Sequence, residues 1–248
     1  MSLVENIVIT GAGSGIGRAL AAGFAADAVR VVGLGRTAAS LEETKSLCPP
    51  GVFSYRICDV SDERAVQEAF GHAAQDVGPV QALVCNAAIY PRTYFLDQTA
   101  EDWTRALMIN VVGVANCCRQ VLPGMLERNK GRIVILGSLA DRGPIPGASA
   151  YSASKGALHV LAAGLAAEID PRRFPDVLIN ELMPGAVRTS MSPQGHDPSE
   201  VYVWAKRLTD LPAGGPTGRM FNRDREIRPN DSCKARLIHA VRRRLRGG

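Results

Sequence analysis

Tyr151 and Lys155 stand four residues apart in Tyr151-Ser152-Ala153-Ser154-Lys155, at the head of a long stretch rich in small residues. If residues 151 to 169 are helical, phenol and ammonium emerge on one face about one turn apart. A free phenol titrates near ~10 and is a weak base at neutral pH, but a fixed positive charge nearby favours the phenolate. Lys155 can supply that charge. Ser138 lies thirteen residues before Tyr151, at the end of the run Arg132-Ile133-Val134-Ile135-Leu136-Gly137, and can offer a hydroxyl to a substrate oxygen. Together these side chains suit general acid/base transfer of a proton to or from an oxygen.

A second group of residues is suited to phosphate. Glu5-Asn6-Ile7-Val8-Ile9-Thr10 reads as a strand covered on both faces, because it shows no apolar/polar alternation. It breaks into Gly11-Ala12-Gly13-Ser14-Gly15-Ile16-Gly17, after which Arg18 to Ala25 reads as helix. Glycines let the backbone approach a pyrophosphate, and the free N–H groups and dipole of the following helix favour its charge. The strict G-x-G-x-x-G pattern is not met, since Ile16 stands where the third glycine counted from Gly11 would fall. The spacing is Thr-Gly-x-x-x-Gly-x-Gly. The next strand, 29 to 35, ends at Arg36. In dinucleotide folds an acid at that place holds the ribose hydroxyls of NAD, whereas an arginine accommodates the extra phosphate of NADP. Arg36 therefore favours NADP(H) over NAD(H), although Ser14 stands where a basic residue in the glycine turn would have reinforced the choice.

These groups need a scaffold that carries them to one place. Strand and helix signals alternate: strand 52 to 57 running into Asp59-Val60, helix 62 to 76, strand 80 to 85 running into Asn86-Ala87-Ala88, helix 101 to 128, strand 132 to 137, helix 151 to 169, strand 176 to 182. Such alternation predicts an α/β fold, a doubly wound parallel β-sheet with helices on both faces and ligands at the carboxyl ends of the strands. Asp59, Asn86, Ser138 and Pro184-Gly185 all fall at those ends.

Composition bounds the rest. With 248 residues, 46% of them hydrophobic, and no linker or low-complexity break over residues 1 to 210, the chain reads as one domain with a sizeable core. Residues 1 to 222 form the catalytic unit and 223 to 248 a basic C-terminal extension. No apolar run reaches the ~18 residues of a membrane span, and Met1-Ser2-Leu3-Val4 enters a strand directly, so a cytoplasmic protein is expected. The six cysteines show no C-x-x-C pattern and read as reduced small hydrophobes. The four histidines carry no zinc spacing, and no catalytic metal is expected. The net charge of +5 is concentrated in the tail, where ten Lys/Arg face three Asp/Glu from Arg219 onward.

In its motifs the chain resembles the short-chain dehydrogenase/reductase family over residues 5 to 222. The matching signals, in order, are Thr10 to Gly17, Asp59-Val60, Asn86-Ala87-Ala88, Asn110, Ser138, Tyr151-x-x-x-Lys155, and Pro184-Gly185 followed by Thr189. The resemblance implies a Rossmann fold and a catalytic set of Asn110, Ser138, Tyr151 and Lys155. Tyr151 would be the general acid/base, Lys155 would lower its pKa and hold the nicotinamide ribose, Ser138 would orient the substrate oxygen, and Asn110 would help hold a water linking Lys155 to solvent. It further implies that Asp59 contacts the adenine, that Asn86 lines the strand under the cofactor, and that Thr189 binds the carboxamide or phosphates. The expected activity is hydride transfer between NADP(H) and a small alcohol or carbonyl substrate, in a homodimer or homotetramer.

Three departures stand out. Asn86-Ala87-Ala88 replaces the family's usual Asn-Ala-Gly, and only Ser190 to Asp197 separate Thr189 from a helix beginning near Pro198, so the substrate lid is short. Beyond the last strand, residues 214 to 221, the spacing of Leu237, Ile238, Val241 and Leu245 fits a basic amphipathic helix over 234 to 246. Nucleic-acid or membrane binding is the less favoured use of that tail, behind a solvated or subunit-contacting role. Epimerases, dehydratases and enoyl reductases use the same Tyr/Lys pair, and a dinucleotide-sensing binding protein would keep the fold with a damaged catalytic set. Here all four positions are intact. Substrate-pocket candidates after the strands are Tyr90, Leu139, Asp141, Arg142, Ala186 and Arg188.

Overall fold

The computed structural model describes residues 3–227, so the expected helix at 234 to 246 and the rest of the basic extension lie outside the described residues. Eight strands form one sheet in the order β3-β2-β1-β4-β5-β6-β7-β8. These are β1 Asn6–Thr10, β2 Arg30–Gly35, β3 Phe53–Ile57, β4 Ala82–Cys85, β5 Gly131–Leu136, β6 Val177–Met183, β7 Arg219–Asn222 and β8 Arg225–Ile227. The first seven pair in parallel, and β8 pairs antiparallel with β7. This is the doubly wound sheet that the strand and helix alternation requires. The sheet continues through a turn at Asn222-Arg223-Asp224, with Arg223 at φ +57, so β8 falls within the stretch assigned to the extension.

Helices cover both faces. Leu20 and Phe24 of α1 (Gly15–Ala26), Leu41 of α2 (Ala38–Ser46) and Val201, Ala205 and Leu208 of α7 (Glu200–Thr209) close one core with β1, β2 and β6. Val66 and Phe70 of α3 (Glu63–Val77), Val114 and Val121 of α5 (Gly113–Glu127) and Leu158 of α6 (Ser149–Ala167) close the other. Strands sandwiched this way have no solvent face, which is why β1, β4, β5 and β6 are buried throughout.

The expected helix 101 to 128 is not one regular helix. It is α4 (Ala100–Leu107), a π-helical turn Met108–Val112, and α5. By length and composition the whole stretch Ala100–Glu127 is apolar enough to cross a membrane, but half of its apolar window is buried inside the protein, as a core helix would be. Of the described cysteines, 58, 85, 117 and 118 are buried and all five are unpaired.

Candidate active site

The strand order reverses at β1, which lies between β2 and β4, and the loops leaving those strands part there. A cavity of about 790 Å³ opens at this point and runs along the carboxyl ends of β1, β2, β4, β5 and β6. Gly11, Gly13, Ser14, Gly15 and Ile16 line one wall, with Arg36, Asp59, Val60, Asn86, Ala87, Ser138, Tyr151, Lys155, Pro184, Gly185 and Thr189 along the others. Two of the expected catalytic and cofactor-binding residues do not line it. Gly17 lies behind the turn, and Asn110 is buried in the π-helical turn.

The glycine turn is held from beneath. Thr10 Oγ1 accepts the amides of Asn86 and Ala87, each at 3.0 Å, and Asn86 Nδ2 donates to the Thr10 carbonyl at 2.9 Å. Gly11 has φ +67, and any Cβ at Gly17 would overlap the Gly11 carbonyl oxygen, so the chain can fold back this tightly only with glycine at both places. Ser14 is extended and precedes α1, leaving the first amides of that helix facing the cavity. A pyrophosphate fits this cradle because backbone N–H groups and the helix dipole supply the positive potential it needs. At the far end Thr189 sits over Gly15, within 3.1 Å of where a Cβ would stand.

Arg36 follows β2 and is half exposed, with its guanidinium 3.9 Å from Asp59. At that separation and exposure the pair is loosely held. Asp59 is more firmly engaged by the Ser61 amide and hydroxyl, at 3.0 and 2.7 Å.

Tyr151 and Lys155 both occupy the first turns of α6 and share a face, with Lys155 Nζ 5.8 Å from the Tyr151 ring centre. Nζ donates to the Leu136 carbonyl at 2.7 Å, which fixes the lysine against the end of β5. Ser138 is extended, caps a short 3-10 turn through Ala140, and sets its hydroxyl beside the Tyr151 phenol. The expected fall of the Tyr151 pKa below its ordinary value is not met, because burial outweighs it. Burial pushes the phenol above its ordinary value, with Tyr90 adding to the rise, and the Ser138 hydroxyl only partly offsets it. Lys155 is itself buried, and desolvation lowers it to about 8, against the upward pull of Glu181 and Cys85.

Asn110 is committed elsewhere. Its side chain exchanges hydrogen bonds with both groups of the Ile89 peptide, at 2.8 and 2.9 Å, and donates to Ser154 Oγ at 2.9 Å. Ser154 in turn donates to the Tyr151 carbonyl at 2.7 Å. Asn110 thus ties the loop after β4 to the catalytic helix, from a π-helical turn of the kind often found at functional sites.

Tyr90, Leu139, Arg142 and Ala186 line the substrate end of the cavity, but Asp141 and Arg188 do not. Asp141 faces inward toward Glu181, and Arg188 pairs with Asp197 at 2.9 Å on the surface. The sequence reading missed that the Tyr90 ring packs on Tyr151, 4.4 Å between centres, with the Arg92 guanidinium 5.1 Å from the Tyr90 ring centre. It also missed Glu181, whose signal was an acid inside the apolar run Val177-Leu178-Ile179-Asn180-Glu181-Leu182-Met183. The short lid is a folded loop, tied by the Thr189↔Ser192 and Val187↔His196 bridges and held at Met191 by Arg92.

The sequence profile of short chain dehydrogenases matches residues 5–198. The chain belongs to the short-chain dehydrogenase family. It is therefore an oxidoreductase, of a family that binds NAD or NADP and acts on small alcohols and carbonyl compounds. Among this dehydrogenase's relatives is 2-(S)-hydroxypropyl-CoM dehydrogenase 3 of Xanthobacter autotrophicus, 35% identical over 219 residues, 85% of this chain and 83% of the relative. Another is carbonyl reductase (NADPH) 2 of Sus scrofa, 35% identical over 185 residues, 74% of this chain and 72% of that one. A crystal structure of an actinorhodin polyketide ketoreductase variant with NADPH superimposes with a TM-score of 0.82 at 28% identity, covering 90% of this chain and 97% of that one.

Proposed function

We propose that this dehydrogenase interconverts a small carbonyl compound and its alcohol with NADP(H), using Tyr151 as the general acid/base. The observation that carries the reading is the meeting of Ser138, Tyr151 and Lys155 on one wall of the cavity whose opposite wall is the glycine turn. A bound nicotinamide supplies or accepts the hydride at the reacting carbon. When a dinucleotide is bound, the Gly11–Gly17 turn would hold the phosphates, Asp59 and Val60 the adenine, Asn86 and Ala87 the floor, and Pro184, Gly185 and Thr189 the nicotinamide end. Ser138 donates a hydrogen bond that orients the substrate oxygen. Tyr151, protonated at neutral pH and held above its ordinary value by burial, gives its proton to that oxygen during reduction. Lys155 lies beside the phenol and stabilises the negative charge left behind. Asn110 supports the pair through Ser154. The apolar outer face of α6, where Val160 is 69% exposed beside Ala157, Leu161 and Gly164, supports a homodimer or homotetramer.

Arg36 supports NADP(H). It stands half exposed at the cavity wall after β2, with only a loose carboxylate partner. The relatives named for or solved with NADPH are in accord. Titration of the protein with NADPH and NADH, followed by nicotinamide fluorescence, tests this. Arg36→Ala is expected to weaken NADPH binding about 10- to 100-fold, the worth of a charge-assisted contact to phosphate, and to leave NADH nearly unchanged. Equal losses for the two cofactors, or no preference for NADPH in the unaltered protein, would remove Arg36 from this role.

A further inference from the structure

β6 carries two polar residues into the core. Asn180 is answered on both sides, its amide donating to the Pro216 carbonyl at 2.7 Å and its oxygen accepting the Arg219 amide at 3.0 Å. Glu181 is not. Its side chain is 2% exposed, and Oε2 has no hydrogen-bond partner. Burial of this kind strongly disfavours a carboxylate unless charges around it compensate.

The fold makes room for the group in a particular place. Residue 137 is glycine, and any Cβ there would overlap the Glu181 carboxyl. The carboxyl therefore lies against the residue joining Leu136, whose carbonyl receives Lys155, to Ser138, which stands beside Tyr151. His159, four residues along α6 from Lys155 and so on the same face, brings Nδ1 to 3.7 Å from Glu181 Oε2. That Nδ1 is also buried without a hydrogen bond. Asp141 and Arg142 face the carboxyl from the turn after β5, with Arg142 Nε 3.8 Å from Asp141 Oδ2. From β7 the register partner is Met220, which is uncharged, and from β4 Cys85 faces Lys155. Burial raises Glu181 to about 7, with Asp141 adding to the rise while Lys155 and Arg142 oppose it.

We propose that Glu181 is a positioning residue for Lys155, its carboxylate beneath Gly137 holding the buried ammonium in its charged form. The inference rests on the role given to Lys155 above. A carboxylate raises the pKa of a neighbouring lysine, so removing it lets Lys155 lose its proton at lower pH. At pH values where Glu181 is itself protonated, the support is already absent.

Glu181→Gln keeps the shape and removes the charge. The alkaline limb of kcat/KM for carbonyl reduction is expected to move down by about one pH unit, making the variant about tenfold slower than the unaltered enzyme on that limb. Near pH 6 the two should agree within about twofold. Glu181→Asp, which keeps a carboxylate but draws it back, should give an intermediate limb and serves if the glutamine variant does not fold. A readout independent of cofactor and substrate is the infrared carboxyl band lost in Glu181→Gln, expected to titrate at about 7. Coincident pH profiles in active proteins overturn the inference, as does a Glu181 band still protonated across the alkaline limb. An unaltered protein without reductase activity on any carbonyl tested would instead bring down the role of Lys155 itself, and this proposal with it.

Discussion

Tyr151→Phe is expected to lower kcat for carbonyl reduction by at least ~10²-fold, the scale of a positioned acid/base group, while leaving cofactor affinity within about twofold. The substitution is well isolated. Phenylalanine keeps the ring that packs on Tyr90 at 4.4 Å, so only the hydroxyl is lost. Steady-state rates and nicotinamide fluorescence on the same preparation separate the two quantities. A variant that retains more than about a tenth of the activity would mean that the proton comes from another group. Because burial holds the phenol above its ordinary value, Tyr151 starts a reductive turnover loaded with the proton it must give.

Gly17→Ala should have the second large effect, this time on binding and stability together. The added methyl would overlap the Gly11 carbonyl and come 2.6 Å from Asn86 Nδ2, and that amide is fixed to the Thr10 carbonyl at 2.9 Å. Neither neighbour is the free end of a flexible chain, so the turn itself must open. Overpacking of this kind costs ~1–3 kcal/mol, and the misplaced turn amides should weaken cofactor binding by more than about tenfold. Gly71→Ala is the control. It lies in α3 with nothing within 4 Å of the new methyl, and the usual helix preference for alanine should stabilise it by ~0.5–1 kcal/mol. Urea unfolding and fluorescence titration of both variants check the contrast. Equal behaviour of the two would show that close packing of the turn is not what requires Gly17.

The parts of the site that were legible in the sequence are those fixed by local spacing. Tyr151 and Lys155 share a face because helix geometry puts residues four apart together, and Ser138 and Asn86 reach the cavity because parallel strands deliver their carboxyl ends to one edge. What was hidden depends on packing between distant segments. The sequence around Asn110 is continuously helical in pattern, and nothing local announces the π-helical turn at Met108–Val112 or the bonds from Asn110 to Ile89 and Ser154. α2 escaped notice because it buries only Leu41 and Thr44 and so lacks a clear apolar stripe. β8 is three residues long and partly exposed. The expected net lowering of the Tyr151 pKa was outweighed by burial for a similar reason. The i, i+4 spacing gives proximity, but only the fold shows that Nζ is drawn to the Leu136 carbonyl and that both side chains are dehydrated. Glu181 was passed over as one acid in a strand, since its meaning comes from Gly137, Lys155 and His159, none adjacent to it in sequence.

Hydride transfer to a carbonyl carbon is the claim on which the other roles depend, and isotopic labelling tests it most directly. NADPH carrying deuterium at C4 of the nicotinamide would be incubated with the protein and a panel of small ketones, and the products analysed by mass spectrometry and NMR. The expected result is an alcohol with one deuterium on its carbinol carbon, formed mole for mole with oxidised cofactor and suppressed in Tyr151→Phe. NADPH returned unconsumed from a reaction that nevertheless alters the substrate, or deuterium at a carbon other than the carbinol, would contradict it.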